Sequence, residues 1–133
     1  MTVTHLNPER LLTHPAFSQG VQVSRGASLL VVGGQNGVDA EGVVVSPDFG
    51  AQTEQALRNV LAVLAEAGAT QADVVKLTIY IVAGNDIEAG FMAAQNVWGP
   101  HPTAISVLQV AGLALPDCLV EIDAVAAVPD GDA

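Results

Sequence analysis

Leu119-Val-Glu-Ile-Asp-Ala-Val-Ala-Ala-Val128 decides the fold. The stretch alternates as a strand does, with successive side chains on opposite faces. Val120, Ile122, Ala124, Ala126 and Val128 share one face, which is wholly apolar. Leu119, Glu121, Asp123, Val125 and Ala127 share the other. A long strand this apolar belongs in the middle of a sheet. Its first face needs a cover of helices. Its second face, carrying two acids, is left for something else.

Upstream, the chain supplies that cover. Asp48 is placed to cap a helix running from Phe49 or Gly50 to Ala67, with Gly68 as its stop. Ala56, Leu57, Val60, Leu61 and Leu64 recur at helical spacing, and Gln52, Gln55, Arg58 and Glu66 mostly take the other side. Val74–Val82 reads as a nine-residue strand. Its apolar face is Val75, Leu77, Ile79 and Ile81; Lys76, Thr78 and Tyr80 share the other with Val74 and Val82. Asn85-Asp86 opens a second helix to about Val97, with Ile87 and Phe91 inward, joined by Met92 or Trp98. Gly99-Pro-His-Pro102 ends it. Ala104–Val110 is a further strand and Gly112–Asp117 a loop. Nearer the N-terminus, Val21–Arg25 and Leu29–Val32 read as a hairpin across Gly26-Ala-Ser28. Gly33-Gly-Gln-Asn-Gly37 breaks that pattern, and Val38–Val45 forms a small turn-and-strand excursion around Ala40–Gly42.

The order is therefore β-β-α-β-α-β-β, an α+β chain with two helices on one face of a mixed sheet. A single domain spans 1–133, with residues 1–15 as an N-terminal loop and 129–133 as a disordered tail. No helix remains to cover the second face, although it carries much apolar surface. Patches of that size are rarely left wet in a monomer, so an identical subunit is expected to cover them.

Composition narrows the function. The chain has 133 residues and a formal net charge of −10, from 14 acids against Arg10, Arg25, Arg58 and Lys76. That balance argues against nucleic acid and anionic membranes as partners. No apolar run reaches the length of a membrane span and no signal peptide is visible, so a cytoplasmic location is the expectation. One cysteine, Cys118, permits no internal disulfide. It has no evident activating base. His5, His14 and His101 lack metal-ligand spacing, and no metal is expected.

Two stretches carry candidate chemistry. Glu121 and Asp123 stand about 7 Å apart on one strand face. They are either an acid–base pair in a cleft or two solvent-facing carboxylates. Gly33–Gly37 either offers backbone N–H groups to an anion or makes a strand-ending turn with positive φ. It lacks the Gly-Lys-Ser/Thr ending of a phosphate loop.

Taken in order, Phe17-Ser-Gln-Gly-Val21, Gly33-Gly-Gln35, Val38-Asp…Gly42, Gln52…Gln55-Ala-Leu-Arg-Asn59, Ala67-Gly-Ala69, Val74-Val-Lys-Leu-Thr78 and Leu119–Ala126 resemble the RidA/YjgF family of reactive-intermediate deaminases. The resemblance runs from about residue 15 to residue 128. It implies a chorismate-mutase-like fold, a homotrimer built as a central barrel of sheets with helices outside, and small-molecule clefts between subunits. It also implies cofactor-free hydrolysis of enamines and imines to a carbonyl compound and ammonia. In such proteins an arginine grips the substrate carboxylate and a glutamate near the C-terminus positions or activates water.

Matched residue by residue, the glutamate is Glu121 and the glycine pair is Gly33 and Gly34. The N-terminal aromatic, commonly tyrosine, is Phe17. The arginine position, after Pro102-Thr103, is Ala104, which offers neither charge nor donor. The helix asparagine of some active members falls at Phe91. The implied protein is an arginine-lacking member that binds a small metabolite and acts on an imine, enamine or related C–N bond through Glu121. The alternatives are a non-catalytic binding or regulatory module, or a protein–protein role, on the same frame.

Overall fold

The computed structural model describes residues 2–129. Its strands are β1 (Val3–Leu6), β2 (Phe17–Ser18), β3 (Gly20–Val23), β4 (Ala27–Asn36), β5 (Val74–Val82), β6 (Thr103–Val110) and β7 (Val120–Pro129). Its helices are α1 (Phe49–Glu66) and α2 (Ile87–Trp98), with a 3₁₀ turn at Gln71–Asp73. The main sheet has five strands in the order β2-β6-β5-β7-β4; β1 and β3 form a separate two-stranded sheet.

β7 is interior, antiparallel to β4 on one side and to β5 on the other. Its helix-side residues Val120, Ile122, Ala124 and Ala126 are almost fully buried. The alternation expected of this strand is therefore the alternation observed. β5 and β6 run parallel, joined by α2, as a crossover connection requires. The fold is a mixed α+β sheet with two helices on one face, as expected.

α1 ends where the sequence places its signals. Asp48 accepts a hydrogen bond from Ala51 N, and Gly68 takes a φ of +72° at the exit. Ala56, Leu57, Val60 and Leu64 reach the core. Gln52, expected on the outer side, is instead buried. Its Nε2 donates to Ser46 O at 2.9 Å and Asp117 O at 3.1 Å, and its Oε1 accepts from Leu119 N at 2.8 Å. A buried amide is stable here because its donors and acceptor are all used.

Several expectations are corrected. β3 and β4 do not form a hairpin: β3 pairs with β1, so residues 3–6 are strand rather than loop. β4 pairs with β7 on one side and forms the edge of the main sheet on the other. The strand also runs through Gly33 and Gly34 to Asn36, with a bulge between Val32 and Gln35. Neither glycine has a positive φ. The 38–45 excursion reduces to one bridge, Val38 to Val44. In β5 a second bulge, between Val74 and Lys76, turns Val74 onto the helix side with Leu77 and displaces Val75. On α2, Trp98 is buried as expected, while Ile87, Phe91 and Met92 are exposed and Gly90 and Ala93 lie inside. Pro129 closes β7 instead of opening a tail; residues 130–133 lie outside the described residues.

Candidate functional site

The face of the sheet away from the helices carries Glu121 and Asp123 on β7, Thr78 and Tyr80 opposite them on β5, and Asn36 opposite Glu121 on β4. The β4 bulge gives Glu121 its setting. A Cβ built on Gly34 would overlap the Glu121 carboxylate, with Cδ only 2.7 Å away. Glycine is needed here for close approach rather than for unusual φ. Asn36 Nδ2 donates to Val120 O at 3.0 Å and reaches Glu121 Oε1 at 3.5 Å. The carboxylate thus lies on the Gly34 backbone with an amide beside it.

Tyr80 Oη donates to Asp123 Oδ2 at 3.3 Å. The negative charge of Asp123 pushes the Tyr80 phenol above its ordinary value, helped by burial, that hydrogen bond and the charge of Glu121. Among the described residues the single ion pair within 4.0 Å is Arg58–Glu54 on α1, so neither acid of this face is neutralised by a close cation. Glu121 is thus a carboxylate within hydrogen-bonding distance of an amide, on one face with a second acid and without a cation within 4.0 Å.

Phe17 and Ala104 lie elsewhere in the chain. Ala104 on β6 neighbours Lys76 on β5, which in turn neighbours Val125 on β7. Two strand spacings and four residues of rise separate Ala104 from Glu121, roughly 16 Å. Beside Ala104, Lys76 Nζ donates to Ser106 Oγ at 2.6 Å. Phe17 pairs with Thr103 next door, on the helix side, and its ring stacks on His14 at 5.3 Å. Within one chain the structure therefore brings Glu121 to Gly34 but not to Phe17 or Ala104. Gly33 has open space around its α-carbon, and its carbonyl accepts from Gln35 Nε2.

Sequence reasoning missed Asn36, Tyr80, and the Lys76–Ser106 pair. Their relevance comes from cross-strand register, which alternation within a strand does not reveal. Cys118 is buried, and burial pushes its thiol upward, aided by Asp117 and Glu121. It is no activated nucleophile. No group of three or more His, Cys, Asp or Glu suited to a metal occurs among the described residues. Among the described residues no helix is long and apolar enough to cross a membrane.

The family model for endoribonuclease L-PSP matches residues 8–128. A RutC family protein of Pyrococcus abyssi is 33% identical over 111 residues, covering 83% of this chain and 84% of that protein. The 2-iminobutanoate/2-iminopropanoate deaminase of Salmonella typhimurium is 33% identical over 116 residues, covering 83% and 85%. A solved structure from Yersinia pestis, YyfB of the conserved Rid protein family, superposes with a TM-score of 0.85 at 35% identity, covering 96% of this chain and 100% of that one. Sequence and fold agree over nearly the whole chain: it belongs to the RidA/YjgF family, to which the L-PSP model also corresponds.

Proposed function

We propose that this chain, as one domain, forms a homotrimer and binds a small metabolite in clefts between subunits, with Glu121 moving protons for hydrolysis of an imine, enamine or related C–N bond. The observation that carries this reading is the Gly34–Glu121 contact. A glycine at a bulge keeps space for a carboxylate that lacks an ion-pair partner. The kinship with an imine deaminase supports the reaction class. Glu121 takes a proton from water as its oxygen bonds to the imine carbon. It returns that proton to nitrogen to give a carbinolamine, then moves the hydroxyl proton to the same nitrogen as the C–N bond breaks and the C=O forms, releasing ammonia and a carbonyl compound.

The separation of Glu121 from Phe17 and Ala104 fits a cleft made by two copies. One contributes Glu121, Gly34 and the neighbouring Gly33 backbone; the other contributes Phe17 and Ala104. Leu29, Val31 and Leu108 leave apolar surface exposed on the open face, which supports burial by identical neighbours. Ala104 leaves the carboxylate of a 2-imino acid without a guanidinium fork, so a neutral imine or carbonyl compound suits the cleft better. The same alanine also favours a second reading, a binding module without turnover. The net charge of −10 opposes RNA as the ligand, despite the name of the family model.

The test is ammonia release from a panel of imines generated in solution, neutral and carboxylated, by wild type and Glu121→Gln. Turnover that Glu121→Gln abolishes supports hydrolysis. Saturable binding without turnover selects the binding module. Turnover untouched by Glu121→Gln would overturn the assigned role.

A further inference from the structure

The helix layer covers the sheet unevenly. α1 lies over β4 and β7, whereas α2 packs on α1 rather than on the strands. Its inward residues Gly90 and Ala93 are small, and Gly90 abuts the Phe49 ring, where a Cβ would stand 2.7 Å away. α2 is thereby drawn to α1 and stands off β5 and β6. The gap is a cavity of about 690 Å³. Ile79, Ile105 and Val107 present its floor and Phe91 and Ala94 its roof, with Leu77, Ile81, Ile122, Phe49, Leu57 and Trp98 largely buried behind them. Residues 14–17 and 99–102 rim the mouth.

We propose that this chamber is a second binding site, for a neutral and predominantly hydrocarbon small molecule. Its size falls in the roughly 300–1,000 Å³ range of small-molecule pockets. No Asp, Glu, Lys or Arg lines it, so a charged guest would be desolvated without a partner. Its internal polar groups are engaged: Thr53 Oγ1 donates to Phe49 O at 2.9 Å, and Trp98 Nε1 donates to His101 O at 3.2 Å. Gln95 and the His14 and His101 rings remain at or near the mouth to meet one polar end of the guest. Apolar walls give water few partners, which favours a hydrocarbon occupant. Both walls come from one chain, so the space is not a flat face awaiting a second copy.

The chamber is distinct from the Glu121 carboxylate, although Phe17 at its rim is also assigned to the proposed intersubunit cleft. Val120 and Ile122 line it, and Glu121 between them points to the opposite face of β7. The two readings therefore fail separately.

Trp98, the only tryptophan, lies in the chamber wall and reports on occupancy. The full chain is titrated with the neutral fluorophore N-phenyl-1-naphthylamine, following energy transfer from Trp98. The expected result is saturation at one probe per chain in the micromolar range. Ala94→Phe, which fills the roof, should weaken binding at least about tenfold while the thermal midpoint is kept or raised. Val107→Phe, from the opposite wall, is the companion if the helix variant fails to fold. Glu121→Gln should bind the probe as wild type does. Absence of saturable binding, undiminished binding by a folded plugging variant, or loss of binding in Glu121→Gln would each overturn the proposal.

Discussion

Gly34 and Glu121 form a matched pair: the carboxylate occupies the space that a side chain at position 34 would fill. Gly34→Ala should therefore push the Glu121 side chain aside. Because the carboxylate is the free end of a flexible chain, the stability cost should stay within about 1 kcal/mol, while ligand binding or turnover falls as in Glu121→Gln. Gly37→Ala makes the contrast. There a Cβ would meet Gln52 Cα at 2.6 Å, and backbone cannot swing away. A loss of about 1–3 kcal/mol is expected for that variant. Urea denaturation beside a ligand-binding assay separates the two. A Gly34→Ala protein with unchanged function would show that this contact is incidental.

On the proposed reading, Ala104 takes the position of an arginine that would grip a carboxylate. Wild type should hydrolyse 2-imino acids about 10- to 150-fold more slowly than its Ala104→Arg variant, because a charge-assisted contact is worth about 1.5–3 kcal/mol. Ala104→Arg should raise hydrolysis of an iminopropanoate-type substrate measurably. Wild-type turnover of that substrate as fast as the variant's would contradict the expectation.

Val31 and Leu29 are 72% and 65% exposed on the open face. Light scattering should return a trimer at micromolar concentration. An obligate interface of this kind would bury well over about 1,000 Å². Val31→Lys, placing a charge in it, should shift the population toward monomer. A monomeric wild type would remove the cleft as well as the assembly.

Gln52 ties α1 to the strand preceding segment at Asp117 and Leu119. Gln52→Leu matches its length but orphans three backbone groups, each at a cost of about 1–3 kcal/mol when buried. We expect a loss of at least about 2 kcal/mol by chemical denaturation. Hydrogen exchange should also quicken at Leu119 N.

Tyr80 is the only tyrosine, so phenolate absorbance reads it alone. The Asp123 charge raises it above its ordinary 10.0, with burial adding to the effect. The folded state then holds the proton more tightly than the unfolded state. Stability from this source is full below pH 10.0 and is lost as pH rises through the folded value. Asp123→Asn should lower the midpoint of the absorbance titration. A midpoint at or below that of a free tyrosine in wild type would show that the Asp123 contact does not persist in solution.

The sequence alone determined the elements whose signals are local. The alternation in β7 named the buried face, and Asp48 and Gly68 marked the ends of α1. These follow from neighbours two to four residues apart, which share a face whatever the rest of the chain does. Tertiary structure alone decided what depends on distant partners. β3 pairs with β1 rather than with the free edge of β4, and β4 pairs with β7 in a register that joins Leu30 to Ala126, 96 residues later. The bulge in β5 puts Val74 rather than Val75 in the core, a one-residue slip that reverses faces. Gln52 reads as an outer helix residue until the loop before β7 supplies its backbone partners. The Gly33–Gly34 stretch reads as a turn, and only its pairing with β7 makes it the bulge that receives Glu121. The chamber under α2 has the same origin: small residues draw that helix to α1, and the space left above β5 and β6 is fixed by how the layers dock.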